Sequence, residues 1–272
     1  MIAAMHLISA SDIPAKLLKQ SSELSNLIIQ TRKCLDGEKT ASEASRVSRD
    51  LLQYSMDNWP NFYKTDTNDI KQEDTAEFLL RLLTTDKILQ KEVETTSTHT
   101  IKCSNSECSL REQNFVIKEQ IIIINDLKEC NEVSLQQIVD QTTYNGKMHK
   151  CAKCQSEGRE TKKIIQAPDK LLIQVNRATL NGAKIETAIK CSNREVYIWE
   201  NGSKLRYEVE GVIIHKGTET QNGHYVYNHY IEGEDKWIQV NDKISLYDMR
   251  EENRNGAVFV LKHKRTDKSL YI

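Results

Sequence analysis

Two close pairs of cysteines, Cys103/Cys108 and Cys151/Cys154, flank a strand-like stretch in mid-chain and limit how it can fold. Zinc takes four soft ligands in a tetrahedron, and two knuckles on neighbouring turns supply them. Cys151-Ala-Lys-Cys154 has the usual two-residue gap, and Cys103-Ser-Asn-Ser-Glu-Cys108 has four, also within the range zinc accepts. A site of this kind closes a long excursion that has little core of its own. We expect structural zinc on these four thiolates, the alternative being four unligated thiols. Cys34, Cys130 and Cys191 stand apart and read as buried or incidental, and His149 can substitute for one ligand but reads rather as a loop residue. Seven cysteines, an odd number with two close pairs, favour metal binding in a reducing compartment over a disulfide framework. The expected location is intracellular, cytoplasmic or nuclear.

Hydrophobic periodicity divides the chain into two grammars. Residues 10–85 read as helical. Asp12 and Pro14 are start signals, and Leu17, Leu18, Leu24, Leu27 and Ile28 form an apolar stripe that Asp36-Gly37 breaks. Ser42 is the expected cap of the next helix, with Val47, Leu51 and Leu52 inward, and Trp59-Pro60 ends it. Asp69-Ile-Lys-Gln72 reads as a capping box before a helix with Ala76, Leu79, Leu80 and Leu83 on its inner face. From about residue 95 the β-branched runs predict strands at Thr95–Ile101, Asn114–Ile117, Lys162–Ile165, Leu171–Val175 and Ala257–Leu261. Ile121–Ile124 looks fully buried, and Val133–Val139 looks like a short helix capped by Ser134 or Asn131. Helices first and antiparallel strands later predict an α+β fold.

The stretch Tyr207–Asp242 carries the most chemistry. Val209, Gly211 and Ile213 alternate with Glu208 and Glu210, which predicts a strand with one wet face. Gly223 allows a sharp turn just before His224, and Tyr225-Val-Tyr227 then sets that histidine at the mouth of a strand. Asn241 and Asp242 end a neighbouring strand, Trp237–Val240, and can accept the N–H of the imidazole's far nitrogen. Base plus orienter is part of a nucleophilic triad. Trp237 reads as a core aromatic and His215 as a structural histidine, while His229 and His263 have no supporting pattern.

These segments together resemble the ubiquitin-specific proteases. Gln72-Glu-Asp74-Thr-Ala-Glu77-Phe78 resembles that family's Gln-Gln-Asp-x-x-Glu-Phe box. Pro168-Asp-Lys-Leu171 through Arg177 is similar to its Pro-x-x-Leu…Arg strand, and Tyr207, Gly211, His215, Gly217, Gly223, His224, Tyr225, Trp237 and Asp242 to its His box. The cysteine quartet falls between the first and second of these, as it does in the family. The resemblance implies a papain-like cysteine-protease hand within one domain: a helical thumb over residues 1–85, zinc-tipped β fingers over 86–167 and a β palm over 168–272. It implies ubiquitin or ubiquitinated proteins as partner and hydrolysis after ubiquitin's C-terminal glycine. It further implies His224 as general base, Asn241 as its orienter with Asp242 beside it, and Asp74 and Gln72 as residues that bind the ubiquitin tail. Asn241 stands where many members have Asp, and Asn still holds the imidazole tautomer.

The family also has an Asn-x-Gly-Asn-Thr-Cys box, whose cysteine is the nucleophile and whose leading asparagine stabilises the oxyanion. The sequence contains no such box, and Cys34, in Thr31-Arg-Lys-Cys34-Leu-Asp-Gly37, has neither its context nor its spacing from Gln72. Met1–Ile8 is almost wholly apolar, lacks the basic lead of a secretory signal, and is far shorter than the roughly 18 residues of a membrane span. A helix apolar on every side belongs inside a protein. The expectation is a chain that begins in mid-core, the box lying upstream, or else an ordinary N-terminal helix docked in a groove. The corresponding functional expectations are a deubiquitinase domain or an inactive relative that binds ubiquitin or a partner. Lys plus Arg is 38 against 39 for Asp plus Glu, so net charge gives no case for nucleic acid or an anionic membrane as partner.

Overall fold

Apolar residues at helical spacing build the first half of the chain. The computed structural model describes residues 2–10, 22–36, 38–60, 75–125, 127–179, 181, 183–191, 193–218, 223–240, 244–246 and 255–264. Helix α1 (Ile2–Ala10) has no polar face, and Ala3, Ala4, Met5, Leu7 and Ile8 are all buried, as such a helix requires. It packs on α2 (Glu23–Leu35), whose stripe Leu24, Leu27 and Ile28 is buried as expected. Ser22 caps α2, accepting from the Ser25 N–H at 3.1 Å, and Asp36 ends it. Asp12, Pro14, Leu17, Leu18 and the Asp69–Gln72 box lie outside the described residues.

Three details of the helical half differ from expectation. Thr40, not Ser42, caps α3 (Ala41–Asn58), because only Thr40 has a glutamate three residues on to close a capping box. In α4 (Thr75–Thr85) Leu80 is turned to solvent, while Phe78 and Leu82 join Ala76, Leu79 and Leu83 inside. Phe78 is drawn in by Trp59, which it meets edge-on with ring centroids 5.5 Å apart. A further helix, α5 (Lys87–Val93), is too short to declare a period. Asp86 starts it, its carboxylate accepting from the N–H groups of Ile88 and Leu89 at 2.7 and 3.1 Å.

The second half is mostly one large sheet. Strands β1 (Thr95–Cys103), β2 (Glu112–Glu119), β5 (Tyr144–Lys150) and β6 (Glu157–Gln166) form an antiparallel ribbon in the order β2-β1-β6-β5. The broader part carries β7 (Lys170–Val175), β9 (Glu195–Glu200), β10 (Ser203–Lys216), β11 (His224–Ile231), β12 (Lys236–Val240), β13 (Ile244–Leu246) and β14 (Gly256–His263). Strand β3 (Ile122–Ile124) runs parallel to β7 at the margin, so Ile123 is 48 % exposed and the expected full burial of this run fails. A two-stranded parallel sheet, β4 (Glu132–Ser134) with β8 (Ala188–Lys190), leads into α6 (Leu135–Val139), where Ser134 and Gln137 make the capping box.

One irregularity corrects the simple alternation expected for β10. Its pairing with β14 shifts between Val209 and Gly211. A bulge moves every later side chain to the opposite face. Tyr207 and Val209 before it, and Val212 and Ile214 after it, therefore point into the same core. Ile213 faces the other core, with Tyr227, Val240 and Val260, beneath the helices. From Gly211 to His215 β10 has no wet face; every residue there is buried.

Beneath α1 the sheet holds a small polar group. Tyr227 and His229 are joined through the Tyr227 hydroxyl and His229 Nδ1 at 3.2 Å, and the buried Lys170 ammonium pairs with Glu210. Burial holds the His229 imidazole below its ordinary range; Lys170 and Arg32 act in the same direction, and Glu210 opposes them. The folded chain thus binds this proton less well than the unfolded chain, so stability rises with pH through the window below about 6.5. We expect Tm to fall as pH drops below that value, and His229→Gln to flatten that part of a Tm-versus-pH series. A slope unchanged in His229→Gln would assign the acid sensitivity elsewhere.

Candidate functional site

His224 is the first residue of β11 and is exposed, in register with Lys216 at the end of β10. The chain enters it through a crowded corner. A Cβ on Gly223 would lie 2.2 Å from His215 Nε2 and 2.7 Å from the Lys216 carbonyl oxygen. Gly223 does not adopt a left-handed φ, so this glycine serves close approach rather than the sharp turn that its type suggests. The His215 ring lies on Tyr225, centroids 4.7 Å apart, and is buried, in keeping with a structural histidine.

The neighbouring strand supplies the other end. Strand β12 pairs antiparallel with β11 and stops at Val240, opposite Tyr227, three positions along β11 from His224. Asn241 and Asp242 follow at once in the sequence but lie outside the described residues, as do Gln72 and Asp74, which immediately precede α4. A buried polar pair locks the two strands together: Gln239 Nε2 donates to Asn228 Oδ1 at 3.1 Å, and Lys216 Nζ donates to Gln239 Oε1 at 3.3 Å. Trp237 is buried against Tyr230, the expected core aromatic.

Two further residues, Lys184 and Arg177, brace this corner, and a third, Tyr207, braces the far end of β10. Lys184 Nζ donates to the carbonyls of His215 and Gly217 at 3.1 and 2.7 Å, tying down the end of β10. Sequence reasoning missed it, because it lies on a connecting loop. The buried Arg177 donates to the carbonyls of Gly256, Ile185 and Thr187 at 3.0, 3.0 and 2.8 Å; burial pulls its guanidinium down to about 10. Tyr207, also buried, donates to the Pro168 carbonyl at 2.5 Å, so two of the sequence motifs meet in one hydrogen bond.

Cys34 sits in α2, and burial raises its thiol above the ordinary value, with Lys39 opposing and Glu43 adding. A raised thiol is a poor nucleophile at neutral pH.

The second site is the cysteine quartet. Cys103 ends β1 and Cys108 lies in the turn to β2, while Cys151 and Cys154 form the turn from β5 to β6. Pairing of Cys103 with Gly158 and of Lys150 with Glu157 brings both turns to one tip of the ribbon. The four sulfurs lie within 4.8 Å of one another, with Cys103–Cys154 at 3.4 Å and Cys108–Cys151 at 3.7 Å. These separations are far beyond a disulfide bond, and all seven cysteines are free. A tetrahedron with metal–sulfur bonds of about 2.3 Å has edges of about 3.8 Å, so the quartet can hold a metal ion. Hydrogen bonds from the Ser156 hydroxyl and backbone N–H hold Cys154 down to about 6 and backbone N–H groups also lower Cys151, whereas burial and the neighbouring thiols push Cys103 and Cys108 up.

Comparison with known proteins adds the lineage. The model of the family described as ubiquitin carboxyl-terminal hydrolase matches residues 8–261. No curated protein matches the sequence. Among solved structures, the SAGA DUB module Ubp8/Sgf11/Sus1/Sgf73 bound to monoubiquitin aligns with TM-score 0.71 at 16 % identity, over 97 % of this chain and 66 % of that one. The same module bound to ubiquitin aldehyde aligns with TM-score 0.68 at 18 % identity, over 98 % and 66 %. A yeast SAGA DUB module aligns with TM-score 0.60 at 17 % identity, over 97 % and 65 %. This chain thus spans about two thirds of the length of these structures. No helix among the described residues is long and apolar enough to cross a membrane.

Proposed function

As the chain belongs to the ubiquitin carboxyl-terminal hydrolase family, we propose that it is a deubiquitinase-type domain that grips ubiquitin in a hand of thumb (residues 1–85), fingers (86–167) and palm (168–272). The observation that carries this reading is the corner of β10, β11 and β12, where His224 opens one strand and the next runs out just before Asn241. His224 is the general base and acid. Asn241 accepts from its far ring nitrogen and fixes the tautomer, and Asp242 supports it. Asp74 and Gln72 bind the ubiquitin tail.

Paired with the family's cysteine nucleophile, which no residue of this sequence supplies, such a domain carries out thiol-dependent hydrolysis after ubiquitin's terminal glycine. His224 takes the proton of a cysteine thiol; the thiolate adds to the carbonyl, and the amine leaves with the proton His224 returns. Water, deprotonated by the same imidazole, then adds to the thioester carbonyl; the C–S bond breaks, and the imidazolium returns the proton to the departing thiolate. The quartet Cys103, Cys108, Cys151 and Cys154 would hold zinc, whose part is to close the finger tip and not to touch the reaction. The free thiols suit a reducing compartment, cytoplasmic or nuclear.

A second reading is favoured by two observations: no Asn-x-Gly-Asn-Thr-Cys box occurs in the sequence, and burial raises the Cys34 thiol above its ordinary value. On that reading the domain binds ubiquitin and hydrolyses nothing. Both readings share ubiquitin, so binding is tested first. Isothermal titration of the purified chain with ubiquitin should give saturable binding, weakened about tenfold by Asp74→Ala, which removes a charge-assisted partner. The chain alone should not turn over a ubiquitin C-terminal fluorogenic substrate. Absence of binding sinks both readings, and turnover that Cys34→Ala abolishes would make Cys34 the nucleophile.

A further inference from the structure

The outer edge of β2 is unusually bare. Among the described residues, β2 pairs only with β1, and none of its eight residues is buried. Phe115, Val116 and Ile117, consecutive in its middle, are 46, 65 and 37 % exposed, so apolar side chains stand uncovered on both faces of the sheet. Edge strands of this kind present free N–H and C=O groups to any strand that can align with them.

The free groups can be assigned to particular residues. Cys103 N–H donates to the Arg111 carbonyl at 2.9 Å, in the same register that pairs Lys102 with Glu112. In an antiparallel ladder, residues alternate between bonding one neighbour and bonding the other. Arg111, Gln113, Phe115 and Ile117 therefore turn their backbone groups towards β1. Glu112, Asn114, Val116 and Lys118 turn theirs outward.

We infer that β2 is a homodimerisation edge, on which a second copy of this chain pairs antiparallel about Phe115. This register sets outward-facing residues against each other, Glu112 opposite the partner's Lys118 and Asn114 opposite the partner's Val116. It also sets Phe115 against the partner's Phe115 in the close, non-hydrogen-bonded position, where aromatic cross-strand pairs gain most. Arg111 then faces the partner's Glu119. Because the pairing is isologous, each of these opposite-charge contacts occurs twice. Within one chain the same charges are shared laterally, Glu112 with Lys102 at 3.2 Å and Lys118 with Glu94 at 2.6 Å, so pairing extends these ladders across the new seam. Shifting the strand by one residue would set outward groups against inward ones, and all the backbone bonds would be lost. Charge complementarity in the permitted register selects a second copy as the occupant.

Light scattering coupled to size exclusion, with sedimentation velocity across a concentration series, tests this on the full chain. We expect a monomer–dimer equilibrium with a dimer dominant at about 100 µM, since one strand edge buries less than a standard interface of about 800 Å² per partner. Val116→Pro removes an N–H that bonds nothing among the described residues, so β1–β2 pairing survives and dimerisation weakens about tenfold or more. Lys118→Glu should weaken it as well, and Glu112→Lys combined with Lys118→Glu should restore it to within about threefold. Circular dichroism of each variant verifies the fold, and the charge-swap pair stands if the proline variant fails to fold. A wild-type chain monomeric at about 100 µM, a dimer indifferent to these changes, or charge reversal without rescue overturns the inference.

Discussion

Replacing Cys151 with serine is expected to cut zinc content from about one ion per chain to less than about a tenth of that, and to open the finger tip without unfolding the palm. The contrast follows from where the apolar residues lie. The quartet forms its own small cluster, isolated from both large cores. Around it six of the eight residues of β2 are exposed and none is buried, and Lys147, Met148 and Lys150 of β5 are exposed too. Apart from the buried thiols the tip has strand pairing and little burial, so a bound metal would supply most of what holds the two turns together.

Structural zinc binds with about 10–16 kcal/mol in small zinc modules. Only part of that appears as stability here, because β1 and β6 remain paired lower down, where Ser97 and Ile164 are buried. Hydrogen exchange followed by mass spectrometry separates the contributions. Amides around residues 103–111 and 148–158 should lose about a thousandfold of protection in Cys151→Ser, while those of β7, β10 and β14 change by less than about tenfold. Zinc absent from the wild-type chain by elemental analysis would sink the zinc assignment. Uniform loss of protection through the palm would mean that the quartet supports the whole fold and not just its tip.

What the sequence disclosed, and what it hid, depends on the range of the interaction concerned. The quartet was legible because its ligands come in short-range pairs, and the ribbon that joins them follows from β-branched runs such as Thr95–Ile101. His224 was legible because glycine and tyrosine mark a strand entry locally, although Gly223 turned out to make room for His215 rather than to turn the chain. Asn241, Asp242, Gln72 and Asp74 remain readings of the sequence, now carried by the proposal. Lys184, and the Gln239–Asn228 pair that locks β12 to β11, were hidden: each acts through partners 11 or more residues away, and neither stands in a periodic pattern. The bulge between Val209 and Gly211 misled for a related reason. Alternation predicts faces only while register is constant, and register is set by β14, about 50 residues downstream. The exposure of Ile123 likewise depends on β3 lying at a sheet margin, which its own three isoleucines cannot reveal.

The same bulge carries a glycine with no room for a Cβ. Gly211→Ala is expected to destabilise the chain by about 3 kcal/mol, the upper part of the usual range for overpacking, and to lower Tm by roughly 6–10 °C. A Cβ at this position would lie 2.2 Å from the Tyr227 hydroxyl oxygen and 2.5 and 2.6 Å from two carbons of its ring. Such overlaps are harmless when the neighbour is the free end of a mobile side chain. Tyr227 is not one: it is 1 % exposed, packs on the His229 ring with centroids 5.9 Å apart, and lies under the core shared with α1. The backbone cannot yield readily either, since β10 is held by β9, β11 and β14. Relief must come from Tyr227, so the two positions should be strongly coupled. In a thermal double-mutant cycle, Gly211→Ala with Tyr227→Leu should cost at least about 2 kcal/mol less than the sum of the single changes. Strict additivity would mean that the penalty arises from backbone strain at the bulge and not from the ring. Because Tyr227 shares β11 with His224, the displaced ring should also perturb that strand's first residue, visible as a shift of the His224 imidazole resonances in Gly211→Ala that the second substitution reverses.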